Sequence, residues 1–426
     1  MAKPKLALIP ATQGSKLYSV LPADGVGDFN FSRNSAATRI NKDGLIETVA
    51  VGKSRLNYPL IDGVVNGCPS HLLEPSRTNI IPRSEDIDTG WSKSNATVAN
   101  NQTISPNGTL NAGLVTATST SGQHILYDTL IGSVTAGADY FISCFVKKST
   151  TRYIRLQDGY SGAQIYIDLD TNSIISETGG ASESIIENYG NGWFRVGFKF
   201  TADSSGNSQF ALYVNDNSNN NAYAGNGEAV YVFGAQLEQG SYPTSYIPNY
   251  GTSAGITRVA ETANGAGDAS TFNDSEGVLF AEISALADDG SYRSISVGNG
   301  GNLERINIWY WNDGSIRFDV VSGGVAQCSF TSSVDATSFN KIAIKYKQNN
   351  FSVFINGIEI GTDSSGSTPV GLSQLSFNRG DSQYPFHGNT KQIQYFDLAL
   401  NDSDLEKITS WTSFTDLANG QTYSIK

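Results

Sequence analysis

Short runs of bulky β-forming residues, each stopped by a cluster of Gly, Asn, Asp or Ser, recur along most of this chain. DYFISCFV (139–146), QIYIDL (164–169), WFRVGFKF (193–200), QFALYV (209–214) and AVYVF (229–233) are examples. At five to eight residues they are strand-length, and the turn formers between them break any helix before it can grow. β-branched and aromatic side chains suit a pleated, half-buried surface, so the pattern points to sandwich or barrel architectures. Composition agrees where it bears on this: 44 glycines supply turns, and charged residues make up only 16%.

A chain of 426 residues exceeds what one core organises, since single cores stop growing at roughly 250–300 residues. The rhythm of strands divides it. Residues 1–80 are irregular and read as an N-terminal anchor, with a hairpin expected around Lys42-Asp43-Gly44. GCPSHLLEPSRTNII (67–81) is apolar but interrupted by two prolines, a buried connector rather than a helix. Residues 81–250 carry enough strands for one jelly roll, and the Gly/Ala/Thr-rich stretch 251–275 reads as a linker. Residues 276–426 form a second sandwich, near whose end Asn401-Asp402-Ser403-Asp404 caps a short helix. The expected fold is all-β: two jelly-roll β-sandwiches in tandem behind an irregular N-terminal anchor.

A formal charge of −12 and an isoelectric point near 4.7 argue against a phosphate-backbone or anionic-lipid partner. Neither nucleic acid nor membrane is expected. No stretch approaches the ~20 apolar residues of a membrane span, and LALIP is too short for a signal-peptide core, so synthesis in a cytoplasm without export is expected. Cys68, Cys144 and Cys328 are far apart and lack CxxC spacing, against a disulfide framework or zinc. Cys144 and Cys328 lie in strand-like runs and read as small buried hydrophobes.

Three stretches stand out as a set: DFNFSRNSAATRINKDGLIETV with RLNYPLIDG and LLEPSRTNIIPRSED; YGNGWFRV; and GAQLEQGSYPTSYIPNYGTS with a following TR. In order and spacing, from about residue 17 to residue 258, they resemble a family of bacteriophage virion proteins comprising tail fibres, head fibres and decoration proteins. Asn249 departs from the usual Thr. KIAIKYKQNNFSVFINGIEIGTD (341–363) and HGNTKQIQYFDLALNDSDLEKI (387–408) resemble a laminin-G/concanavalin-like module, with a strand pair closed at Asn356-Gly357 and a last strand running into a capped helix. These resemblances imply a virion surface protein made in the bacterial host. Its implied partners are other virion proteins and host-surface or mucus glycans, and its implied assembly is a homotrimer.

Read physically, the motifs are structural. Gly190 and Gly192 allow a tight turn that aims Trp193 into the core. Glu74 and Arg77 flank a proline turn, and an Arg–carboxylate pair there ties the N-terminal segment to the strand carrying Gln236 and Glu238. Glycan hydrolysis needs two carboxyls about 5–10 Å apart. The nearest pair, Asp168 and Asp170, reads better as a turn closing a strand. His71, His124 and His387 are scattered, without metal spacing or triad partners. Calcium stays open through Asn/Asp loops such as 215–221, although EF-hand spacing is absent. No other cofactor and no catalysis are expected.

RINIWYWNDGSIRFDVV (305–321) carries the one ligand-like constellation. A three-residue turn at Asn312-Asp313-Gly314 pairs Tyr310 with Ile316, Ile308 with Phe318 and Ile306 with Val320, which makes one face wholly apolar. The outward face then carries Asn307, Trp309, Trp311, Arg317 and Asp319. Flat indoles beside amide, guanidinium and carboxylate groups suit a sugar, which offers an apolar ring face and a rim of hydroxyls. The same face could instead pack on another subunit or on the first sandwich. The expected function is a glycan-binding virion surface protein. An architectural fibre or collar protein is the alternative, and a capsule depolymerase the third reading.

Overall fold

The structure, a computed structural model, describes residues 2–13 and 16–411. Apart from one helix, Asp402–Ser410, its regular elements are strands. The all-β expectation holds. In the first sandwich two six-stranded antiparallel sheets face each other. Ser208–Val214 lies between Ile125–Leu130 and Tyr153–Asp158 in one sheet. In the other, Asp139–Lys148 lies between Trp193–Thr201 and Ala229–Gln239. Alternation sends Ile142, Phe198, Phe200, Phe210, Leu212 and Val232 into the core between them.

The second sandwich packs a five-stranded sheet on a larger one. The smaller sheet runs in the order Val325–Ser332, Ile316–Ser322, Arg305–Tyr310, Arg293–Gly298, Gln374–Ser376. In the larger sheet Gly388–Phe396 lies beside Glu276–Ala285, and the chain's first strand, Leu6–Gln13, pairs with its other edge, Leu8 opposite Ile393. Lys16–Leu21, Phe29–Ser32 and Thr262–Asn264 continue that sheet. Leu6, Leu8, Leu17, Phe29 and Phe31 share a core with Ile308 and Phe318.

The segment expected as an irregular anchor is therefore woven into the C-terminal sandwich. Its strands are short, and their partners lie at the far end of the chain, where local pattern cannot find them. The stretch expected as a linker likewise supplies Ile256–Arg258, paired with Arg77–Asn79, and the strand Thr262–Asn264. Residues 412–426, assigned from sequence to the second sandwich, lie outside the described residues.

Ala37–Ile40 and Ile46–Val49 form the expected hairpin, whose turn is held by Asn41 Oδ1 accepting from the Asp43 and Leu45 amides at 2.9 and 3.0 Å. The hairpin covers the outer face of the first sandwich, where Ile46 meets Phe145, Trp193, Phe233 and Tyr246. Trp193 is buried there and donates Nε1–H to Ile104 O at 2.9 Å. The helix docks Leu405 and Ile408 on Val278, Phe280 and Phe354, with the Asn401 side chain capping it at the Asp404 amide.

Ionic contacts bind these parts together. Arg33, Arg55, Arg258, Glu74 and Glu261 are all buried. Glu261 accepts from Arg33 Nη1 at 2.6 Å, from Arg55 Nε at 2.9 Å and from the Glu74 amide at 2.9 Å. Glu74 meets Arg55 at 2.7 Å and Arg258 at 2.8 Å, and accepts from Ser245 N and Oγ at 2.7 and 2.6 Å. Arg258 reaches Thr244 Oγ1 at 3.1 Å, and Thr244 in turn donates to Glu238. The expected tie between the N-terminal segment and the Glu238 strand is present as Arg77, 3.9 Å from Glu238, while Glu74 pairs with Arg55 and Arg258.

Removing one member of such a network strands a buried charge, at a cost of about 3–5 kcal/mol. Glu261→Ala is therefore expected to lose that much stability in denaturant titration, and a loss below about 1 kcal/mol would contradict the assignment. Acid should act on the same joint. Burial pushes the Glu74 carboxyl up, but Arg258 and Arg55 overcome it and hold the group at about 2. Burial holds the His71 and His387 imidazoles at about 4. All three are depressed on folding, so their stabilisation is present above the unfolded values and lost as pH falls through the folded ones. The melting temperature should fall from about pH 6.5 to pH 4 as the histidines are forced to charge, then further toward pH 2. A flat or rising curve between pH 6.5 and 4 would contradict this.

Candidate functional site

The hairpin at residues 305–321 takes the three-residue register, with Tyr310 opposite Ile316, Ile308 opposite Phe318 and Ile306 opposite Val320. Gly314 closes it at φ 77°, in the left-handed region that glycine enters without steric cost. The inner face lies in the core as expected. The other face departs from expectation. Asn307 is 0% and Trp309 4% exposed, while Trp311, Arg317 and Asp319 are half-buried.

The cover is neither a second subunit nor the first sandwich but a later segment of the same chain, residues 378–385. Ser294 N donates to Tyr384 O at 3.0 Å, and Ser296 Oγ donates to Asn378 O at 2.7 Å. The Tyr384 ring lies edge-on to Trp309 at 5.4 Å. Strand alternation identifies which residues share a face; it does not reveal what crosses that face from elsewhere. Asn307 Nδ2 donates to Ser294 Oγ at 2.8 Å, whereas Asn307 Oδ1 and Trp309 Nε1 find no partner among the described residues.

What stays open is the end of this face. Tyr292 and Trp311 meet edge to face at 4.7 Å, and Tyr292 and Tyr384 at 5.6 Å. The Arg317 guanidinium sits 4.2 Å from the Trp311 ring centre and donates to Asp313 at 2.6 Å. Hydrogen bonds from Ser315, with Arg317 adding to them, hold the Asp313 carboxyl below its ordinary range. On the far side Arg379 stacks 4.9 Å from Tyr384 and pairs with Asp381. Three partly open aromatic rings thus stand between two Arg–Asp pairs. Tyr292, Tyr384, Arg379 and Asp381 escaped the sequence reading. The FNRGDSQYPF stretch that holds three of them shows no alternation, and only its Tyr among turn formers offered a signal.

The other expected positions lie elsewhere. Asp168 is gripped by Arg152 at 2.6 Å and accepts from the Asp170 amide, a closed turn in which hydrogen bonds from Arg152 hold the carboxyl at about 2. In the 215–221 loop Asp216 Oδ1 accepts from the Ser218 and Asn220 amides at 2.8 and 2.7 Å. Among the described residues no three His, Cys, Asp or Glu side chains gather to hold a metal. Cys144 and Cys328 are buried thiols pushed up to about 12 by burial, and Cys68 is exposed.

Residues 272–406 match the sequence profile of the Concanavalin A-like lectin/glucanases superfamily. No curated protein matches the chain. Among solved structures, the CBM40 module of the Ruminococcus gnavus IT-sialidase bound to α2,3-sialyllactose aligns at 20% identity. It covers 34% of this chain and 92% of its own, with a TM-score of 0.29. Domain 4 of an extracellular arabinanase from Geobacillus stearothermophilus, in complex with arabinotriose, aligns at 11% identity over 35% of this chain and 73% of its own, with a TM-score of 0.29. The heptameric SAP-like pentraxin of Limulus polyphemus aligns at 11% identity over 33% and 71%, with a TM-score of 0.27.

The two tryptophans of the hairpin should behave differently. Trp309→Ala empties a packed site and is expected to cost about 3–5 kcal/mol in urea unfolding. Trp311→Ala, at the open end, should cost about 1 kcal/mol or less. Equal losses in the two variants would contradict the geometry.

Proposed function

We propose that this chain is a non-enzymatic glycan-binding protein whose C-terminal sandwich holds saccharide at the corner formed by Tyr292, Trp311 and Tyr384. The observation that carries the reading is that corner. Partly open aromatic faces are stacking surfaces for a pyranose, and the Arg317–Asp313 and Arg379–Asp381 pairs edging it can donate to and accept from hydroxyls. The concanavalin-like profile at residues 272–406 supports the same class of activity. Neither Asp168 nor Asp170 is a free acid, and each is tied to a neighbouring cation, which favours binding over hydrolysis.

The setting belongs to the same proposal. The motifs between residues 17 and 258 resemble phage virion fibres and decoration proteins, so the protein acts on a particle surface as a homotrimer, made in the bacterial host. A single shallow corner binds weakly, and many copies on one particle gain by effective concentration. A second reading, a purely architectural virion protein, is favoured by one observation. The motif residues Glu74, Arg195 and Glu238 are buried rather than presented on the outer surface.

A glycan array probed with the full chain separates the readings. The proposal expects ligands whose binding falls at least tenfold in Trp311→Ala and in Tyr384→Ala, with both variants folded by circular dichroism. No bound glycan, or binding indifferent to both substitutions, would favour the architectural reading.

A further inference from the structure

Beside the ionic joint, between the two sandwiches, lies a chamber of about 230 Å³. Three parts of the chain wall it: Ile40 from the hairpin, Glu187 and Arg195 from the first sandwich, and Leu286 and Asn389 from the second. Glu187, Pro243 and Leu286 also line a groove of about 670 Å³, so the chamber opens outward along it.

The walls offer uncommitted hydrogen-bonding groups of both kinds. Glu187 faces Arg195 across the strand pair, is open to solvent, and has no hydrogen bond or close ion pair among the described residues. Arg195 itself is committed to Thr244 O at 2.8 Å and Ser143 Oγ at 3.2 Å. Asn57 and Asn389 spend their side-chain oxygens on Ile40 N at 2.8 Å and Ser70 Oγ at 2.9 Å, which leaves both amide NH₂ groups without an acceptor among the described residues. A carboxylate to accept, two amides to donate, and Ile40 and Leu286 as apolar wall form a set suited to a hydroxyl-rich ring.

Charge narrows the class further. In the groove Asp289 and Glu183 are offset by Arg293 at 2.7 Å and Lys199 at 3.9 Å. Asp139 and Asp288 line the same groove with no cation paired to them among the described residues. Those two carboxylates leave the groove net negative, while in the chamber itself Arg39 and Arg195 balance Glu74 and Glu187, so a uronic or sialic acid is repelled on the way in.

We propose that this chamber is a second ligand site, taking one uncharged hexose or N-acetylhexosamine ring while the rest of the glycan runs out along the groove. Occupancy would touch all three parts of the chain at once and raise the melting temperature.

The test uses the full chain with glucose, galactose, mannose, N-acetylglucosamine and N-acetylgalactosamine, and with N-acetylneuraminic acid as the anionic probe. Saturation-transfer NMR and calorimetry read binding, and thermal melts report both folding and ligand stabilisation. At least one neutral sugar should bind saturably, weaken at least tenfold in Glu187→Gln, and be excluded by Leu286→Trp, which fills the chamber from its other wall. The acidic sugar should not bind at this site. Because Glu187 has no hydrogen-bond partner to lose, its variant should melt with the wild type; were it to misfold, Leu286→Trp carries the same test. In a Trp311→Ala background, from which the aromatic corner has been removed, the same neutral sugar should still bind saturably and should still weaken in Glu187→Gln. No saturable neutral sugar, or binding unchanged in Glu187→Gln and Leu286→Trp, overturns the proposal. Binding lost only in Trp311→Ala overturns it too while leaving the aromatic-corner site standing.

Discussion

Glu74 and Glu261 are 187 residues apart in sequence, and both are buried. Taking a carboxylate out of water costs several kcal/mol even after relaxation, so neither could stay inside without counter-charge and hydrogen bonds on almost every lone pair. Arg33, Arg55 and Arg258 supply that charge from three separate stretches, and Ser245 and the Glu74 amide supply the rest. The surplus positive charge is met by carbonyls, Arg33 donating to Ala50 O and Arg55 to Thr38 O, both at 2.8 Å. A joint of this kind tolerates little rearrangement. Shifting any one stretch leaves an ion in the interior with nothing to pair it.

The aromatic corner depends on that joint through a short chain of contacts. Glu74 follows directly on Ser70–Leu73, whose residues pair with the start of Gly388–Phe396, Leu73 opposite Gly388. The segment that covers Trp309 and presents Tyr384 ends just before that strand. Pinning Glu74 therefore fixes one end of the cover, and Ser294 and Ser296 fix it against the sheet. First-strand residues Leu6 and Leu8 pair farther along the same edge of Gly388–Phe396 and add the apolar half of the same arrangement. The N-terminal stretch thus works as framework for the C-terminal sandwich.

How much of this could be read from sequence follows from the range of each interaction. The register around Asn312-Asp313-Gly314 is local, since a turn type and an alternation decide it, and it emerged correctly. The cap at Asn401 and the turn at Asn41–Leu45 are local in the same way. The burial of Asn307 and Trp309 was not legible, because residues 378–385 cover them and that segment carries no periodicity. The ionic joint was only half legible. Glu74, Arg77 and Glu238 stood out within motifs, and Arg77 does reach Glu238, yet Arg55 and Arg258, the partners of Glu74, are set by no spacing rule. The pairing of Leu6–Gln13 with Gly388–Phe396 spans almost the whole chain, and a single sequence holds no local signal for it.

If the joint couples all parts as described, the molecule should unfold as one unit. Differential scanning calorimetry of the full chain at neutral pH measures that coupling directly. The account predicts a single transition whose calorimetric and van't Hoff enthalpies agree, since the first sandwich cannot open without taking Ser245 from buried Glu74 and Arg55 and Thr244 from buried Arg258. Two resolved transitions, one for each sandwich, would contradict it.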